Sequence, residues 1–397
     1  MFESITPRPP DAILGLTAAF LADPNPNKVD LGVGVYKDEQ GRTPIMRSIK
    51  AAEKKLWESE DTKTYIAQAG PDLYNTHSSR LILGDNHPVL RDQRAMTVLA
   101  PGGSGALRLG AEFINRMKSG TRIWVSNPTW ANHTGLFKSA GLNPEPHPYY
   151  NYAAHVIDFD AMMDTLGKQA TVGDLVLLHG CCHNPSGADL NMDQWRAVCA
   201  LAQKNGFTPY VDLAYQGLGD GVDEDAAGLR HLAENLPELV IASSYSKNFG
   251  LYRERVGVLT IVHEQASQVA ATKSQVLATA REIYSVPPAH GAALVAMVLD
   301  TPELRADWAV ELADMRDRIN GLRQMLADKL KAAGASRDFS FIPAEKGMFS
   351  FLGLTRDQVQ RMIKEYSIYL TDNSRINVAG LNSQNVEHLV KAILGVL

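Results

Sequence analysis

One lysine stands among groups that bind anions. In the stretch SSYSKNFGLYRERVG, Lys247 follows the apolar run ELVIA, with Ser244 three residues before it and Arg255 eight residues after it. A loop lysine is ordinarily a solvated surface charge. A lysine at the end of a buried strand, beside hydroxyls and an arginine that can hold an anion, is instead a candidate reactive amine. The rest of the sequence decides between these two interpretations.

A glycine-rich turn, PGGSGALR (101–108), lies between an apolar run and a helical pattern. Glycines allow backbone N–H groups to approach an anion, and a helix N-terminus adds partial positive charge. The pattern is neither G-x-G-x-x-G nor a Walker loop, so the dinucleotide and ATP signatures are missing. By itself it is equally consistent with a plain tight turn. Joined to Ser244 and Arg255, it predicts a phosphate site built from two distant segments.

Three further segments supply groups that suit a heterocyclic ligand. Asp212 lies in the apolar run YVDLAYQG, where a carboxylate is costly unless it is paired. It therefore either caps a nearby turn or keeps a proton on a cationic ring. Tyr215 and Asn184 can reach the same ligand through a hydroxyl and an amide. Trp130, by default a core residue, can stack on an aromatic ring, and His133 can orient Asp212.

The stretch HGCCHNPSG (179–187) suggests a metal site at first sight, because two histidines and two cysteines crowd together. Adjacent cysteines cannot easily both point at one ion, and no second cluster completes four ligands. We therefore interpret this loop as packed and hydrogen-bonded, and expect no metal.

These groups together fit one ligand. They comprise a reactive lysine, a phosphate site, a carboxylate for a ring nitrogen, a hydroxyl and an amide for a ring oxygen, and a stacking surface. Pyridoxal 5'-phosphate (PLP), a phosphorylated pyridine aldehyde, matches all of them.

The elements that must position these residues follow a repeated pattern of apolar run, polar turn and helix. It occurs at 96–117, 122–133, 174–190, 208–217 and 239–248, and the intervening segment 191–206 predicts a helix capped by Asn191 and ended by Gly206. This order predicts an α/β fold, a mostly parallel sheet with helices on both faces. Ligands bind at the carboxyl edge of such sheets. A long helix over 303–334 and short strands in GMFSFLGL and SRINVAG predict a second, smaller α+β domain.

The composition excludes several classes of function. The chain has 397 residues, 45% of them apolar, and a formal net charge of −5, so no basic field favours nucleic acid or anionic membrane. The apolar run GAALVAMVL (291–299) is shorter than the roughly 20 residues of a membrane span. The N-terminal stretch has no basic segment or signal-peptide core. Three cysteines make a poor disulfide framework, and we expect a cytoplasmic protein.

The chain resembles the class I aminotransferases of PLP fold type I, in the aspartate and aromatic-amino-acid branch. The resemblance rests on VDLGVGVYKDEQGRTP, HGCCHNPSGADL, DLAYQG, SYSKNFGLYRERVG, YSVPPAHGA, GMFSFLGL and RINVAGLN, which follow in order over nearly the whole chain. It implies an N-terminal arm (1–11), a large PLP-binding domain (44–312) and a small domain built from 12–43 and 313–397. It also implies transfer of an amino group between aspartate, tyrosine or phenylalanine and 2-oxoglutarate by a ping-pong mechanism.

The resemblance also assigns roles. It implies that Lys247 binds the cofactor covalently and later moves a proton, and that Asp212 pairs with the ring nitrogen. The remaining cofactor contacts that it implies are Tyr215 and Asn184 to the ring oxygen, Trp130 to the ring face, Gly103, Ser104, Ser244 and Arg255 to the phosphate, and Tyr65 from a partner subunit. For the substrate it implies Arg375 on the α-carboxylate, Arg281 of the partner subunit on a side-chain carboxylate, Trp130 and Asn184 beside it, and Gly34 on the segment that closes over it. The active unit would be a homodimer with shared sites.

The resemblance determines the preferred substrate less closely than it determines the fold and the cofactor. Val286 stands where aspartate-selective members usually carry Asn, and it favours aromatic side chains. Ser104 and Arg253 resemble the aromatic branch, whereas Val35, Lys37 and Thr43 resemble the aspartate branch. The segment 66–80 is atypical of both. The sequence therefore favours a dual-specificity aspartate and aromatic-amino-acid aminotransferase, with a strict aspartate aminotransferase as the alternative.

Other classes of protein fit the sequence less well. A lyase or decarboxylase of the same PLP fold would not need a pair of carboxylate-binding arginines. A ligand-sensing regulator would need an attached DNA-binding module, and the sequence offers neither a spare segment nor a basic stripe for one. An NAD-linked oxidoreductase would need the missing G-x-G-x-x-G signature.

Overall fold

The computed structural model describes residues 2–7 and 12–397. The chain divides into two compact units. The larger unit comprises 44–318 with 345–347, and the smaller unit comprises the residues up to Thr43 together with 319–344 and 348–397. Residues 1 and 8–11 of the predicted N-terminal arm lie outside the described residues.

The helices and strands have the following bounds. The strands are β1 (Val29–Asp30), β2 (Ala95–Pro101), β3 (Arg122–Asn127), β4 (Asn143–Pro148), β5 (Tyr150–Asn151), β6 (Val156–Ile157), β7 (Leu175–His179), β8 (Thr208–Leu213), β9 (Leu239–Ser244), β10 (Val256–Val262), β11 (Phe349–Phe351), β12 (Ile368–Tyr369) and β13 (Arg375–Asn377). The helices are α1 (Ala12–Ala22), α2 (Arg47–Ser59), α3 (Asp72–Leu83), α4 (Pro88–Arg91), α5 (Gly102–Met117), α6 (Asn132–Ser139), α7 (Phe159–Gln169), α8 (Met192–Asn205), α9 (Ala227–Asn235), α10 (Val269–Ile283), α11 (His290–Asp300), α12 (Pro302–Ala332), α13 (Arg356–Tyr366) and α14 (Val386–Val396).

The larger unit is built on a seven-stranded sheet with the order β2-β10-β9-β8-β7-β3-β4. Its strands are parallel except for β10, which runs antiparallel to both of its neighbours. The strands β2, β3, β7, β8 and β9 therefore end at the same edge of the sheet. This confirms the predicted mostly parallel sheet and places the polar turns that follow these five strands side by side.

Two inner strands of the sheet, β9 and β10, are buried along their whole length. Every residue of β9 (LVIASS) and of β10 (VGVLTIV) is buried, because these strands have neighbours on both sides and helices cover the sheet. Apolar residues of the sheet pack with α5, α6 and α10 in one cluster, and Trp130 packs at its margin. This rigid core fixes the ends of the strands, from which the polar turns project.

The helix predicted between the apolar runs at 174–190 and 208–217 is α8, which lies between β7 and β8. The Asn191 side chain accepts from the backbone N–H of Gln194, and the Gln194 side chain accepts in return from that of Asn191, which completes a capping box. The helix ends at Gly206, whose φ of 77° is the left-handed conformation that glycine adopts readily. Both predicted boundaries are confirmed.

The smaller unit contains two two-stranded sheets, one pairing β1 with β12 in parallel and one pairing β11 with β13 antiparallel. The predicted long helix is α12, and GMFSFLGL and SRINVAG form β11 and β13. A second apolar cluster lies within this unit. The Arg323 side chain of α12 is completely buried. Among the described residues, no helix is both long enough and apolar enough to cross a membrane.

Candidate active site

The reactive groups predicted from the sequence come together at the carboxyl ends of β8 and β9. Asp212 is the penultimate residue of β8 and pairs in register with Ala242 of β9. Lys247 lies in the turn that follows β9. Its Nζ atom is 4.9 Å from the centre of the Tyr215 ring, in the loop after β8. The lysine, the carboxylate and the phenol therefore share one edge of the sheet.

The Lys247 amine lies in surroundings that disfavour its charged form. Burial of the amine lowers its pKa below the ordinary lysine value; Asp212 opposes this effect, and the positive charge of Arg255 adds to it. A lowered pKa increases the fraction of neutral amine near pH 7, and a neutral amine can attack a carbonyl carbon or accept a proton. The surroundings of Lys247 thus suit a nucleophile and a base.

Asp212 lies in surroundings that keep its carboxyl ionised. Burial by itself would raise its pKa, but the hydrogen bond from His133 and the nearby positive charge of Lys247 bring it below the ordinary value. The His133 Nε2 atom is 3.0 Å from Oδ2 of Asp212, and the histidine side chain has no exposed area. The site therefore presents a fixed negative charge at the end of β8.

A chain of hydrogen bonds leads from the Asn184 loop to this carboxylate. The Asn184 backbone N–H donates to His179 Nδ1 at 3.3 Å, so His179 Nε2 carries the proton and donates to Thr129 Oγ1 at 3.2 Å. The Thr129 hydroxyl also forms a hydrogen bond of 2.8 Å with His133 Nδ1, and His133 Nε2 donates to Asp212. Burial lowers the pKa of His179 to about 3, so this ring carries a single proton at neutral pH. The chain therefore links the Asn184 loop to the Asp212 carboxylate.

A cradle for an anion lies at the N-terminus of α5. Gly102, with φ of 72°, begins the helix, and a Cβ atom there would lie 2.3 Å from an Arg255 Nη atom. A Cβ atom on Gly103 would lie 3.0 Å from Cβ of Ser244. The guanidinium and the serine thus lie against the first turn of the helix, which also contains Ser104. Backbone N–H groups, the helix dipole and an arginine meet here, as in other phosphate sites.

Trp130 and Asn184 border the same edge of the sheet. The Trp130 ring is partly buried and meets the His133 ring edge-on, with centroids 5.2 Å apart. Asn184 is buried, with 7% exposure, in the loop after β7. The Asn184 backbone N–H begins the hydrogen-bonded chain that ends on Asp212, and the Trp130 carbonyl accepts from the His133 backbone N–H at 2.9 Å.

Two of the predicted residues of the larger unit face solvent instead. The Tyr65 side chain is 89% exposed. Arg281 is exposed in the last turn of α10, where it donates from Nη1 to Ser285 Oγ at 2.6 Å. Unlike Asp212 and Lys247, these side chains are accessible to a second molecule.

The smaller unit brings Gly34 and Arg375 to one phenylalanine. Arg375 of β13 is 5% exposed, donates from Nη2 to the Gly32 carbonyl at 2.6 Å, and lies with its guanidinium 4.3 Å over the Phe349 ring. A Cβ atom on Gly34 would lie 2.6 Å from the tip of the same ring. An arginine held in this way presents a planar fork of donors, which suits a carboxylate.

The cysteine loop forms a buried cluster. One ligand atom each of Cys181, Cys182 and Asp225 lies within 4.8 Å of the others. The Asp225 carboxylate already accepts three backbone N–H bonds, from Gly217, Gly219 and Asp220. The hydrogen bond with Cys182, together with burial, raises the pKa of Cys181. A packed, hydrogen-bonded loop accounts for the cluster.

Sequence analysis did not identify three participants in the site. Thr129 and His179 come from separate segments that only the fold connects, and no local pattern links them to Asp212. Gly257 lies inside β10, where a Cβ atom would be 2.4 Å from the backbone of Gly102. A single glycine in an apolar strand is a signal of such close backbone approach.

Comparison with known proteins is consistent with this geometry. The family model described as "Aminotransferase class I and II" matches residues 26–393. Aspartate aminotransferase of Escherichia coli (strain K12) is 48% identical over 397 residues, and aromatic-amino-acid aminotransferase of Paracoccus denitrificans is 44% identical over 396 residues, each match covering 100% of both chains. The crystal structure of aromatic-amino-acid aminotransferase from Burkholderia pseudomallei, covalently bound to pyridoxal phosphate, is 43% identical, superimposes with a TM-score of 0.98, and covers 100% of this chain and 99% of its own. The chain belongs to the class I and II aminotransferases.

Proposed function

We propose that this protein is a PLP-dependent aminotransferase that transfers an amino group between aspartate or an aromatic amino acid and 2-oxoglutarate by a ping-pong mechanism. The full-length relatives at 44–48% identity carry the names of aspartate and aromatic-amino-acid aminotransferases. The observation that supports the proposal most is the pairing of a lysine of lowered pKa with a buried, ionised aspartate at one sheet edge.

The residues of the larger unit fit the cofactor. The cradle formed by Gly103, Ser104, Ser244 and Arg255 suits its phosphate, because the glycines let the arginine and the serine lie directly against the backbone at the helix N-terminus. Asp212 suits the ring nitrogen, Tyr215 and Asn184 the ring oxygen, and Trp130 the ring face. Lys247 suits the covalent link.

When bound, PLP supplies an electrophilic carbon and a protonated ring that withdraws electrons from the α-carbon of an amino acid. Asp212 keeps the proton on the ring nitrogen, because an ionised carboxylate raises the pKa of the group with which it pairs. With the cofactor bound, the neutral Lys247 Nζ would accept the proton from the substrate α-carbon and would deliver it to the C4' carbon of the cofactor. Its lowered pKa favours the neutral form that this step requires.

Two arginines account for the substrates. Arg375 binds the α-carboxylate that all amino acids share, through its planar fork. Arg281 of a partner subunit binds the second carboxylate of aspartate and of 2-oxoglutarate. Gly34 lies on the segment that closes over the substrate, and Trp130 and Asn184 border it.

The proposed active unit is a homodimer. Tyr65 and Arg281 are exposed on this chain, so each can serve a site on a neighbouring molecule, Tyr65 at the phosphate and Arg281 at the substrate. We place the protein in the cytoplasm, since its three cysteines are free thiols, which suits a reducing compartment.

Steady-state kinetics of the purified holoenzyme test the function. Aspartate, tyrosine and phenylalanine are each assayed as donor, with 2-oxoglutarate as acceptor. Parallel lines in double-reciprocal plots and formation of glutamate are expected. Release of carbon dioxide or ammonia without glutamate would identify a lyase or decarboxylase instead.

A further inference from the structure

The deepest charged side chain of the smaller unit belongs to Arg323, on α12. It is completely buried, at 0% exposure, within an apolar cluster. A buried guanidinium costs free energy unless its donors are paired, and apolar residues of similar size are often as stabilising. Its bonds therefore indicate what the arginine does.

Those bonds converge on β11. Arg323 Nη2 donates to the Phe349 carbonyl at 2.6 Å, and Nη1 donates to Ser350 Oγ at 2.6 Å and to the Ile342 carbonyl at 3.0 Å. Two of the three acceptors thus lie on successive residues of one short strand. The third lies on the turn before it.

The open edge of β11 explains this arrangement. The strand has three residues and pairs with β13 in a two-stranded sheet, a unit that is only marginally stable alone. The Met348 carbonyl accepts from the Val378 N–H on the β13 side, so the next carbonyl, that of Phe349, points to the other edge. Arg323 donates there in place of a third strand.

Phe349 in turn defines the surroundings of the proposed carboxylate-binding arginine. Its ring lies 4.3 Å below the Arg375 guanidinium, and the Gly34 backbone approaches the same ring so closely that a Cβ atom would lie 2.6 Å from it. A cation over an aromatic face is attracted to it. A shift of Phe349 would therefore move the fork of Arg375.

We propose that Arg323 is a positioning residue for substrate carboxylate binding: through the Phe349 carbonyl and the Ser350 hydroxyl it fixes β11, and the Phe349 ring then fixes Arg375. This inference rests on the proposed function, because it requires that Arg375 binds the α-carboxylate. The expected effect is the same for different substrates. Every amino acid carries the α-carboxylate. A substitution of Arg323 therefore weakens the binding of all amino-acid substrates by a similar factor.

The test compares KM and kcat of holoenzyme variants, measured well below their Tm. Arg323→Lys keeps the charge but loses the fork, and Ser350→Ala removes one acceptor without burying an unpaired charge. Each is expected to raise KM for aspartate and for phenylalanine by a similar factor of about three to ten, with kcat changed less than about twofold. The equilibrium Kd of 3-phenylpropionate, a carboxylate without an amino group, should rise in parallel.

Two controls separate positioning from general destabilisation. Leu389→Ala opens a cavity in the same apolar cluster from α14, so it should lower Tm and leave KM unchanged. Ser350→Thr retains the hydroxyl and should retain KM. If Arg323→Lys and Ser350→Ala lower Tm but leave both KM values unchanged, the positioning role is wrong.

Arg375→Lys distinguishes this failure from that of the proposed function. If Arg375→Lys raises KM strongly while the Arg323 and Ser350 variants do not, the positioning inference alone is overturned. If Arg375→Lys leaves KM unchanged, the assignment of the α-carboxylate to Arg375 is wrong, and with it the basis of the inference.

Discussion

His133 donates from Nε2 to Oδ2 of Asp212 across 3.0 Å, and the histidine is completely buried. Its other ring nitrogen lies 2.8 Å from the Thr129 hydroxyl, so hydrogen bonds hold both nitrogens of the ring. An aspartate held in this way stays ionised although it is buried. This relationship is why we assign the ring nitrogen of the cofactor to Asp212.

Replacement of Asp212 by asparagine should slow catalysis without releasing the cofactor. Asp212→Asn removes the negative charge that keeps the ring nitrogen protonated, and kcat should fall by about a hundredfold or more. The phosphate cradle is unchanged, so PLP should still bind, as visible absorption would show. Asp160→Asn, at an exposed position of α7, serves as the matched control. Near-native turnover of Asp212→Asn would contradict the role given to this carboxylate.

Buried histidines should make the fold sensitive to acid. His147 is 1% exposed, and burial lowers its pKa from 6.5 to about 4. Between these two values the unfolded chain binds a proton that the folded chain does not, so the free energy of unfolding decreases as the pH falls through this window. The loss from one such group reaches about 1.4 kcal/mol per pH unit.

Denaturant titrations of wild type and His147→Leu at several pH values test this effect. The variant should lose stability less steeply between pH 6.5 and pH 4, and the two slopes should agree above pH 7. Equal slopes throughout the acidic range would show that His147 is protonated as readily in the folded protein as in the unfolded one.

Subunit complementation tests the proposed sharing of sites. In a heterodimer of Arg375→Ala and Arg281→Ala chains, one site carries both defects and the other carries neither. Mixing the two inactive variants under conditions of proven subunit exchange should therefore restore aspartate transamination in a fraction of the sites. Each variant incubated alone is the control. No recovery in the mixture would contradict a site that takes Arg375 from one chain and Arg281 from the other.

Arg281 should determine the preference between dicarboxylic and aromatic substrates. Arg281→Ala removes a charged partner that only aspartate uses, so kcat/KM for aspartate should fall about 10- to 100-fold more than that for phenylalanine. Equal losses for the two substrates would contradict a pocket that accepts both.

The neighbours of Arg281 offer finer control of the same preference. Ser285 Oγ accepts from Arg281 at 2.6 Å, and Val286 offers no such group. Val286→Asn adds an amide that can fix the guanidinium, and should shift the ratio of kcat/KM values toward aspartate by roughly 1 kcal/mol. Ser285→Ala should shift it the other way. An unchanged ratio in both variants would show that these side chains do not control the pose of Arg281.

Much of the candidate site could be predicted because parallel strands end at one edge. Asp212 lies near the end of one apolar run, and Lys247 follows another. Once these runs form strands of one parallel sheet, the carboxyl ends of the strands lie along the same edge. Gly103 was recognisable only in combination with Ser244 and Arg255, since a glycine-rich turn between strand and helix is by itself equally consistent with a plain tight turn.

The remaining features depend on side chains that meet across distant segments. Nothing local to Thr129 or His179 indicates a bond between them, and the antiparallel direction of β10 follows from the turn around Arg255, not from its apolar pattern. Arg323 is one of many charged residues on α12. Only the packing of β11 against that helix shows that this arginine, of all of them, points inward.

The identity of the reactive lysine is the central claim, and borohydride reduction tests it most directly. Reduction of the holoenzyme should fix the cofactor on the peptide that contains Lys247, as mass spectrometry after digestion would show. Lys247→Ala should bind PLP through the phosphate cradle but give no reduced adduct and no turnover. Recovery of the label on another lysine, or a Lys247→Ala variant that still forms the adduct at a single site, would contradict the account.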